Sequence, residues 1–457
     1  MDEYDLIIVG GGSGMGIAEF ALMHDLKVAV VNKAPIGGTC QNFGCIPSKM
    51  LIFPADRIME IMEANKIGVH AEVKQIDFSS IMNRMRKIRK DEQDHEYENV
   101  NNINNFFYYE GEGHFIQDYV LEVNGKTIRG KKIIICSGAR PLIPQIKGID
   151  EVNYLTNESV LDLDEKPESM IIIGGGYIAA EYGHFFAAMG TQVTILQRQN
   201  RLIPEEEPEI SDLLKQELEK RMTIRTNIEA SEVKKQNSDY LVTGRNVHSN
   251  EEELFTAKTI LLATGRKSNA DLLKVEKTGV ELDQRGFIKV NEYLETSKKN
   301  IWAFGDAIGK HMFKHVANRE ANIIAHNIIH DHKVSMDYDA IPFAIFTHPQ
   351  IASIGMTEEQ AKKNYDILVG KAFYSDTAKG IAMMEEKGFA KAIIDQKTGR
   401  ILGFHIIGPY APILIQEVIN AMSSQEGTSV SIFNGLHIHP ALSELISITL
   451  TNLKKVT

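Results

Sequence analysis

Two segments of this chain each carry an apolar run, a glycine-rich turn and a second apolar run. That duplication constrains the fold more than any other feature. In the first segment Leu6 to Val9 reads as a buried strand, GGGSGMG (10–16) as the turn, Ile17 to His24 as a helix and Val28 to Val31 as the next strand. In the second, MIIIGGGYIAAEYGHFFAAMGTQVTILQR (170–198) repeats the pattern. One GxGxxG is a weak signal, but two in strand–turn–helix context predict two dinucleotide-binding units. Gly10 and Gly12, and Gly174 and Gly176, let the backbone approach a pyrophosphate attracted by the positive end of the following helix.

Each unit departs from the usual pattern. Met15 stands at the third glycine position of the first turn, where it is expected to tighten or shift helix–strand packing; the second turn has Ala179 there. The following strand normally ends in a carboxylate that binds a ribose, but here the positions hold Asn32 and Gln197. Gln197 is followed by Arg198 and Arg201, and two guanidiniums beside a missing carboxylate suit a 2′-phosphate. The expectation is NADPH rather than NADH, with surface arginines of no special role as the alternative. Tyr177 is placed to cover a nicotinamide.

Between the units, Ile81 to Tyr97 reads as a charged helix with a solvated face carrying Arg84, Arg86, Lys87, Arg89 and Lys90. KKIIICSGARP (131–141) is a strand and turn returning to the first unit, and 151–169 a polar linker. TILLATGRKSN (259–269) and KNIWAFGDAIG (299–309) are further strands ending in turns. From about residue 340 alternating strands, Gly388–Asp395 and Ile401–Ile407, precede helices from Ile413, which predicts a third, α+β domain. The net charge of −11 argues against a nucleic-acid binder. No apolar run approaches ~20 residues, so no membrane span is expected. The start, MDEYDLIIVG, reads as a strand rather than a signal peptide, which predicts a cytoplasmic protein.

The chain has three cysteines, and two of them, Cys40 and Cys45, lie in GGTCQNFGCIPSKM (37–50). A close pair in a reducing compartment is metal-binding, redox-active or an inert buried pair. Zinc would need two more ligands, and no nearby histidine pair has metal spacing, so no metal is expected. A helix beginning near Pro47 would favour a thiolate at Cys45. Cys136 sits in an apolar strand and reads as core. A reactive thiol needs a proton handler, and HIHPALSE (437–444) offers His439 with Glu444 to fix its tautomer. A purely structural histidine is the alternative there, and His348 in FTHP is left in that class.

Taken in order, GGGSG, GGTCxNxGCIPSK, GGGYIAAE, ATGRxxN, FGDA, FTHPQIAS and HPALSE resemble the FAD-dependent pyridine nucleotide–disulfide oxidoreductases along the whole chain. Several segments, among them SKMLIFPAD and KHVANREANIIAHNIIH, are most similar to mycothione reductase. The resemblance implies an α/β protein with two Rossmann-like domains, for FAD (1–150 and 276–338) and for NAD(P)H (151–275), and a C-terminal α+β dimerisation domain (339–457). It places FAD on Gly10, Gly12, Ser13, Gly14, Asn32, Gly38, Thr39, Ser137, Gly138, Asp306 and Ala307, with Asp306 on the ribityl chain. It places NADPH on Gly174, Gly176, Tyr177, Ile178, Glu181, Arg198, Arg201 and Gly265. Lys49, paired with Glu181, would lie near the flavin's reactive edge. Cys45 would be the flavin-proximal thiol, Cys40 the thiol that attacks substrate, and His439, held by Glu444, the proton shuttle supplied by the second subunit of a homodimer. The implied activity is NADPH-dependent reduction of a low-molecular-weight, mycothione-like disulfide. Dihydrolipoamide dehydrogenase, serving a lipoyl-bearing complex, is the alternative, although it normally uses NAD with a glutamate where Gln197 stands. A mercuric reductase would carry a second redox pair, and no cysteine follows Cys136. A flavoprotein sensor without turnover conflicts with the intact set Cys40, Cys45, Lys49, His439 and Glu444.

Overall fold

In the computed structural model of the chain, which describes residues 1–33, 35–100 and 103–456, the first apolar run becomes the strand β1 (Asp2–Val9). Leu6, Ile7, Ile8 and Val9 are all buried, as a parallel strand covered on both faces requires. With β2 (Val28–Asn32), β3 (Phe106–Glu110), β4 (Gly113–Gln117), β5 (Val120–Val123) and β6 (Lys126–Ile135) it forms a sheet in the order β3-β2-β1-β6-β5-β4. Ile301–Ala303 adds to β6 in parallel. Val9 pairs with Val31 on one side and with Ile135 on the other, so β1, β2 and β6 end together. Gly10, Asn32 and Cys136 follow or close those ends, the edge of an open parallel sheet where nucleotides bind.

The chain divides into two compact units: 1–48, 82–142 and 265–338, and 49–81, 143–264 and 339–457. The first holds the sheet just described, α1 (Gly14–Leu22) and α2 (Gly38–Asn42). Two long helices, α3 (Cys45–Glu63) and α4 (Phe78–Val100), span unit boundaries in the chain. Met82 and Met85 of α4 are buried while Arg84, Lys87 and Lys90 are exposed, so the basic stripe is a solvated face.

In the second unit Ser169–Ile173, Gln192–Gln197, Thr223–Thr226 and Thr259–Leu262 form a four-stranded parallel sheet with α5 (Tyr177–Ala188) after the first strand. A three-stranded antiparallel sheet (Ile228–Gln236, Asp239–Asn246, Glu252–Ala257) shares a core with it through Ile171, Ile173, Val233 and Val242. The C-terminal region is a six-stranded sheet joined throughout by antiparallel pairs, whose core includes Tyr374, Phe404, Leu445 and Ile446. No helix among the described residues is long and apolar enough to cross a membrane.

Candidate active site

The cysteine loop is built around one buried side chain. Asn42 donates through Nδ2 to the carbonyls of Pro35 (3.1 Å), Ile36 (2.9 Å) and Gly38 (2.9 Å), and its Oδ1 accepts from Gln93 of α4 at 2.6 Å. This closes the loop on itself and leaves Cys40 half-buried in α2. Gly44 joins α2 to α3, and a Cβ there would come within 3.0 Å of the Thr39 carbonyl, which makes glycine the fitting residue. The helix starts at Cys45 itself rather than near Pro47, because the Ser48 amide already donates to the Gly44 carbonyl (3.1 Å). Pro47 sits in the first turn, where its missing N–H costs nothing. Cys45 is thus at the positive end of a 19-residue helix. Cys40 and Cys45 are hydrogen-bonded thiols. That bond, and then burial, raise the Cys40 thiol far above the ordinary range against a smaller opposing effect of Lys314. Of the two sulfurs, Cys45 is the one at the helix start, where a thiolate would be stabilised.

The expected FAD residues gather at the sheet edge of the first unit. Gly10 has φ +128°, and a Cβ on it would lie 2.2 Å from the Cys136 carbonyl oxygen. Met15 is half-buried in the first turn of α1. The close approach is one residue earlier, at Gly14, where a Cβ would meet Cys136 Sγ at 2.5 Å and Ile8 at 2.7 Å. Cys136 itself lies just past β6 under this turn, and burial pushes its thiol up to about 12. Asn32 is committed to the turn: Oδ1 accepts from the Gly11 amide (3.0 Å) and Nδ2 donates to the Tyr108 hydroxyl (3.1 Å). Gly12 and Gly38 abut, since a Cβ on Gly38 would stand 2.6 Å from Gly12 Cα, and Thr39 faces Gly138.

Three observations test whether these residues fit FAD, and all three favour it. The buried Ser137 hydroxyl has no hydrogen-bond partner among the described residues. Asp306 is a half-buried carboxylate, pushed up by burial, that pairs with Arg266 Nε at 3.4 Å. The glycines at 10–12 and 38 bring no side chains of their own to the turn. Residues not singled out in the sequence complete the cradle. Lys314 donates to Ser13 Oγ (2.9 Å), which donates to Asn318 (2.8 Å). Glu320 accepts from the Gly305 amide (2.7 Å) and from Tyr338 (2.5 Å), fixing the turn that carries Asp306 and Ala307. All three lie on α7 (Lys314–Ile329), counted after α6 (Pro208–Leu218). The available signal was Glu320 itself, an acid on the buried face with Val316, Ala321 and Ile324.

The second turn repeats the first in other residues. A Cβ on Gly175 would meet the Gln197 side chain at 2.6 Å, so Gln197 underlies its turn as Asn32 underlies Gly11. Its Nε2 donates to the Arg201 carbonyl (3.1 Å). Space in front of Gly176 is open, and Tyr177 and Ile178 begin α5 beside it. Arg198 pairs with Glu229 at 3.6 Å and Arg201 with Asp212 at 3.1 Å. Gly265, expected with this set, belongs to the first unit.

Glu181, expected with the same set, lies on α5 and is engaged by two groups of the chain. Its buried carboxylate takes Lys49 Nζ at 2.7 Å and the Phe346 amide at 3.0 Å. One residue-triplet on, His184 is fully buried, with Nε2 on Asp56 (2.9 Å) and Nδ1 accepting from Arg221 (3.2 Å). Arg221 also donates to the His348 carbonyl, and His348 pairs with Glu63 at 3.1 Å, so His348 is part of a structural network. Burial lowers His184 from 6.5 to about 4. The unfolded chain therefore binds a proton between those values that the folded chain refuses, and stability falls as pH drops through that window, by about 3 kcal/mol. Urea unfolding of wild type and His184→Gln at pH 7 and pH 4.5 checks this. The wild type should lose more stability on acidification, and equal losses would refute it.

In the C-terminal region His439 Nδ1 meets Glu444 Oε1 at 2.8 Å, and Glu444 Oε2 accepts from the Ala441 amide at 3.1 Å. His439 first, and then that amide, hold the Glu444 carboxyl below the usual carboxylate range. The imidazole is 72% exposed. Leu436 and Ile438 just before it are also exposed, and line a groove of about 470 Å³ with Glu417 and His437.

The family model described as pyridine nucleotide-disulphide oxidoreductase matches residues 4–321, and that of its dimerisation domain residues 341–449. The chain is 33% identical to mycothione reductase of Mycobacterium tuberculosis over 467 residues, covering 99% of this chain and 100% of the relative. It is 34% identical to mercuric reductase of Staphylococcus aureus, over 90% of this chain and 75% of the relative. The HOCl-induced flavoprotein disulfide reductase RclA from Escherichia coli superposes with a TM-score of 0.87 at 28% identity, covering 98% of this chain and 99% of that one. This chain is a member of the pyridine nucleotide-disulphide oxidoreductase family, α/β enzymes with a dimerisation domain that use FAD and NAD(P)H.

Proposed function

We propose that this enzyme is an NADPH-dependent reductase of a low-molecular-weight, mycothione-like disulfide, working as a homodimer through the Cys40–Cys45 pair. The observation that carries this is the hydrogen-bonded thiol pair with Cys45 at the start of α3. The division of labour is FAD on 1–150 and 276–338, NADPH on 151–275, and dimer contacts on 339–457.

FAD held on those residues would supply the two-electron link between NADPH and the Cys40–Cys45 disulfide. Everything else falls to the chain. Lys49, held by Glu181, keeps a cation one helical turn beyond Cys45. The Cys40 thiol holds its proton, so attack on a disulfide needs a base, and His439 removes that proton. The Cys40 sulfur then bonds to one substrate sulfur, and the other leaves as a thiolate that takes the proton back from His439. Cys45 attacks Cys40, releases the second thiolate and restores the disulfide. Glu444 keeps Nδ1 protonated, which leaves Nε2 to do the proton transfer. Exposure of Leu436 and Ile438 supports a partner surface beside His439.

The 2′-phosphate reading survives the ion pairs on Arg198 and Arg201. Exposed pairs contribute ~0–1 kcal/mol, whereas charge-assisted bonds to a phosphate contribute ~1.5–3 kcal/mol. Glu229 also keeps Arg245 as a partner at 3.5 Å when Arg198 leaves. Arg198→Ala with Arg201→Ala should raise KM for NADPH by ~10-fold or more and leave NADH nearly unchanged; equal losses would remove this reading. The same ion pairs favour the second reading, an NAD-linked dihydrolipoamide dehydrogenase, if they persist with cofactor bound. Turnover decides between them. NADPH oxidation by one low-molecular-weight disulfide supports the first, and efficient NAD reduction by dihydrolipoamide overturns it.

A further inference from the structure

The segment HNIIHDH (326–332), at the C-terminal end of α7, is used by none of this chemistry. Its three histidine rings converge. Ring centroids are 4.5 Å apart for His326 and His330, 4.6 Å for His326 and His332, and 5.9 Å for His330 and His332. We propose that His326, His330 and His332 form a surface site for a divalent late transition-metal ion such as Ni(II), Cu(II) or Zn(II), with water completing the coordination.

Four features carry this. His326 and His330 are four residues apart, the spacing that stacks side chains on one helix face. His332 is brought back beside them by Asn327, whose amide donates to the Val334 carbonyl (2.9 Å) and accepts from the Val334 amide (2.8 Å). His326 Nε2 lies 3.1 Å from the His332 carbonyl. A carbonyl only accepts, so that nitrogen carries the hydrogen and Nδ1 carries the lone pair, which is how a second hydrogen bond prepares an imidazole ligand. The site also lies at the negative end of a 16-residue helix, and the neighbouring cation Lys333 is paired with Glu295 at 2.7 Å.

Imidazole donors suit Zn, Cu and Ni, and an i, i+4 pair with a third ring gives enough ligands for a stable complex. Among the described residues, the group of three donors already within 4.8 Å of one another is Glu207, Glu209 and Glu358. Lys391 contacts all three, so that cluster is an ion-pair node. His330 and His332 are exposed and close on an ion by side-chain rotation toward the half-buried His326. The expectation of no metal concerns ligands near Cys40 and Cys45, and these histidines lie elsewhere in the chain. A bound ion would tie the end of α7 to its return loop, on the same helix that holds Ser13 through Lys314 and Asn318.

The test is calorimetric titration of the FAD-loaded protein, Cys40–Cys45 oxidised, with NiCl2, together with thermal unfolding with and without the ion. Wild type should bind one equivalent per chain and unfold at higher temperature. Loss of a ligand costs at least as much as loss of an outer-shell partner, so His330→Ala should weaken binding by ~10–100-fold or more. The triple variant His326→Ala, His330→Ala, His332→Ala should bind none, while melting like wild type without metal. Cys40→Ser with Cys45→Ser should still bind one equivalent. Unchanged binding in the triple variant, no binding in wild type, or loss of binding in the cysteine variant each overturns the proposal.

Discussion

Cys40→Ser is expected to abolish disulfide turnover while leaving the flavin bound and reducible by NADPH. A serine hydroxyl cannot form the mixed disulfide, and removing a covalent nucleophile typically lowers turnover on the order of 10⁴-fold or more. The residues proposed to cradle FAD do not include the Cys40 sulfur; they are the glycine turn, Ser137, and Asp306 with Arg266. FAD content and NADPH oxidation by an artificial one-electron acceptor should therefore stay near wild type. Cys45→Ser should also stop disulfide reduction, for a different reason: it removes the sulfur at the helix N-terminus that resolves the mixed disulfide. Trapping separates the two. Only Cys45→Ser, with Cys40 intact, should accumulate a stable adduct with the substrate thiol. Retained turnover in Cys40→Ser would end the relay assignment, and an adduct in Cys40→Ser would reverse the two roles.

The duplicated nucleotide units were legible because a parallel strand buried on both faces must be an unbroken apolar run and its turn must be glycine-rich. Which atoms a turn residue touches was not legible. The sequence places Asn32 and Gln197 where a ribose-binding carboxylate usually stands, and their side chains underlie their own turns, since the path of the glycine backbone decides that and local sequence does not encode it. Met15 is expected to tighten or shift helix–strand packing, and the close approach in this turn is made by Gly14. Pairings across long stretches of chain, such as Lys49 with Glu181, were accessible only through the family resemblance. Glu320 and His184 were missed for a related reason. Each is a polar residue on a buried helix face, and its partner comes from an element that periodicity does not identify.

His439→Ala is expected to slow disulfide reduction ~10²–10⁴-fold, the usual worth of a positioned general acid–base. Glu444→Gln should cost less. It keeps a side-chain oxygen for the Ala441 amide but removes the carboxylate that His439 faces at 2.8 Å. The flavin should still be reduced by NADPH at the wild-type rate in both, because neither residue handles the hydride. Mixing subunits tests where the histidine acts. A Cys40→Ser chain and a His439→Ala chain are each inactive as homodimers. If Cys40 works with the partner subunit's His439, a heterodimer rebuilds one intact site from the cysteine of one chain and the histidine of the other. Random reassociation of equal amounts should then restore about a quarter of the sites, because half of the dimers are mixed and each carries one good site of two. If Cys40 instead works with His439 of its own chain, every site in the mixture lacks one partner and no activity returns. Recovery near a quarter would establish the homodimer as the catalytic unit and explain why an imidazole meant for catalysis is left exposed on a single chain.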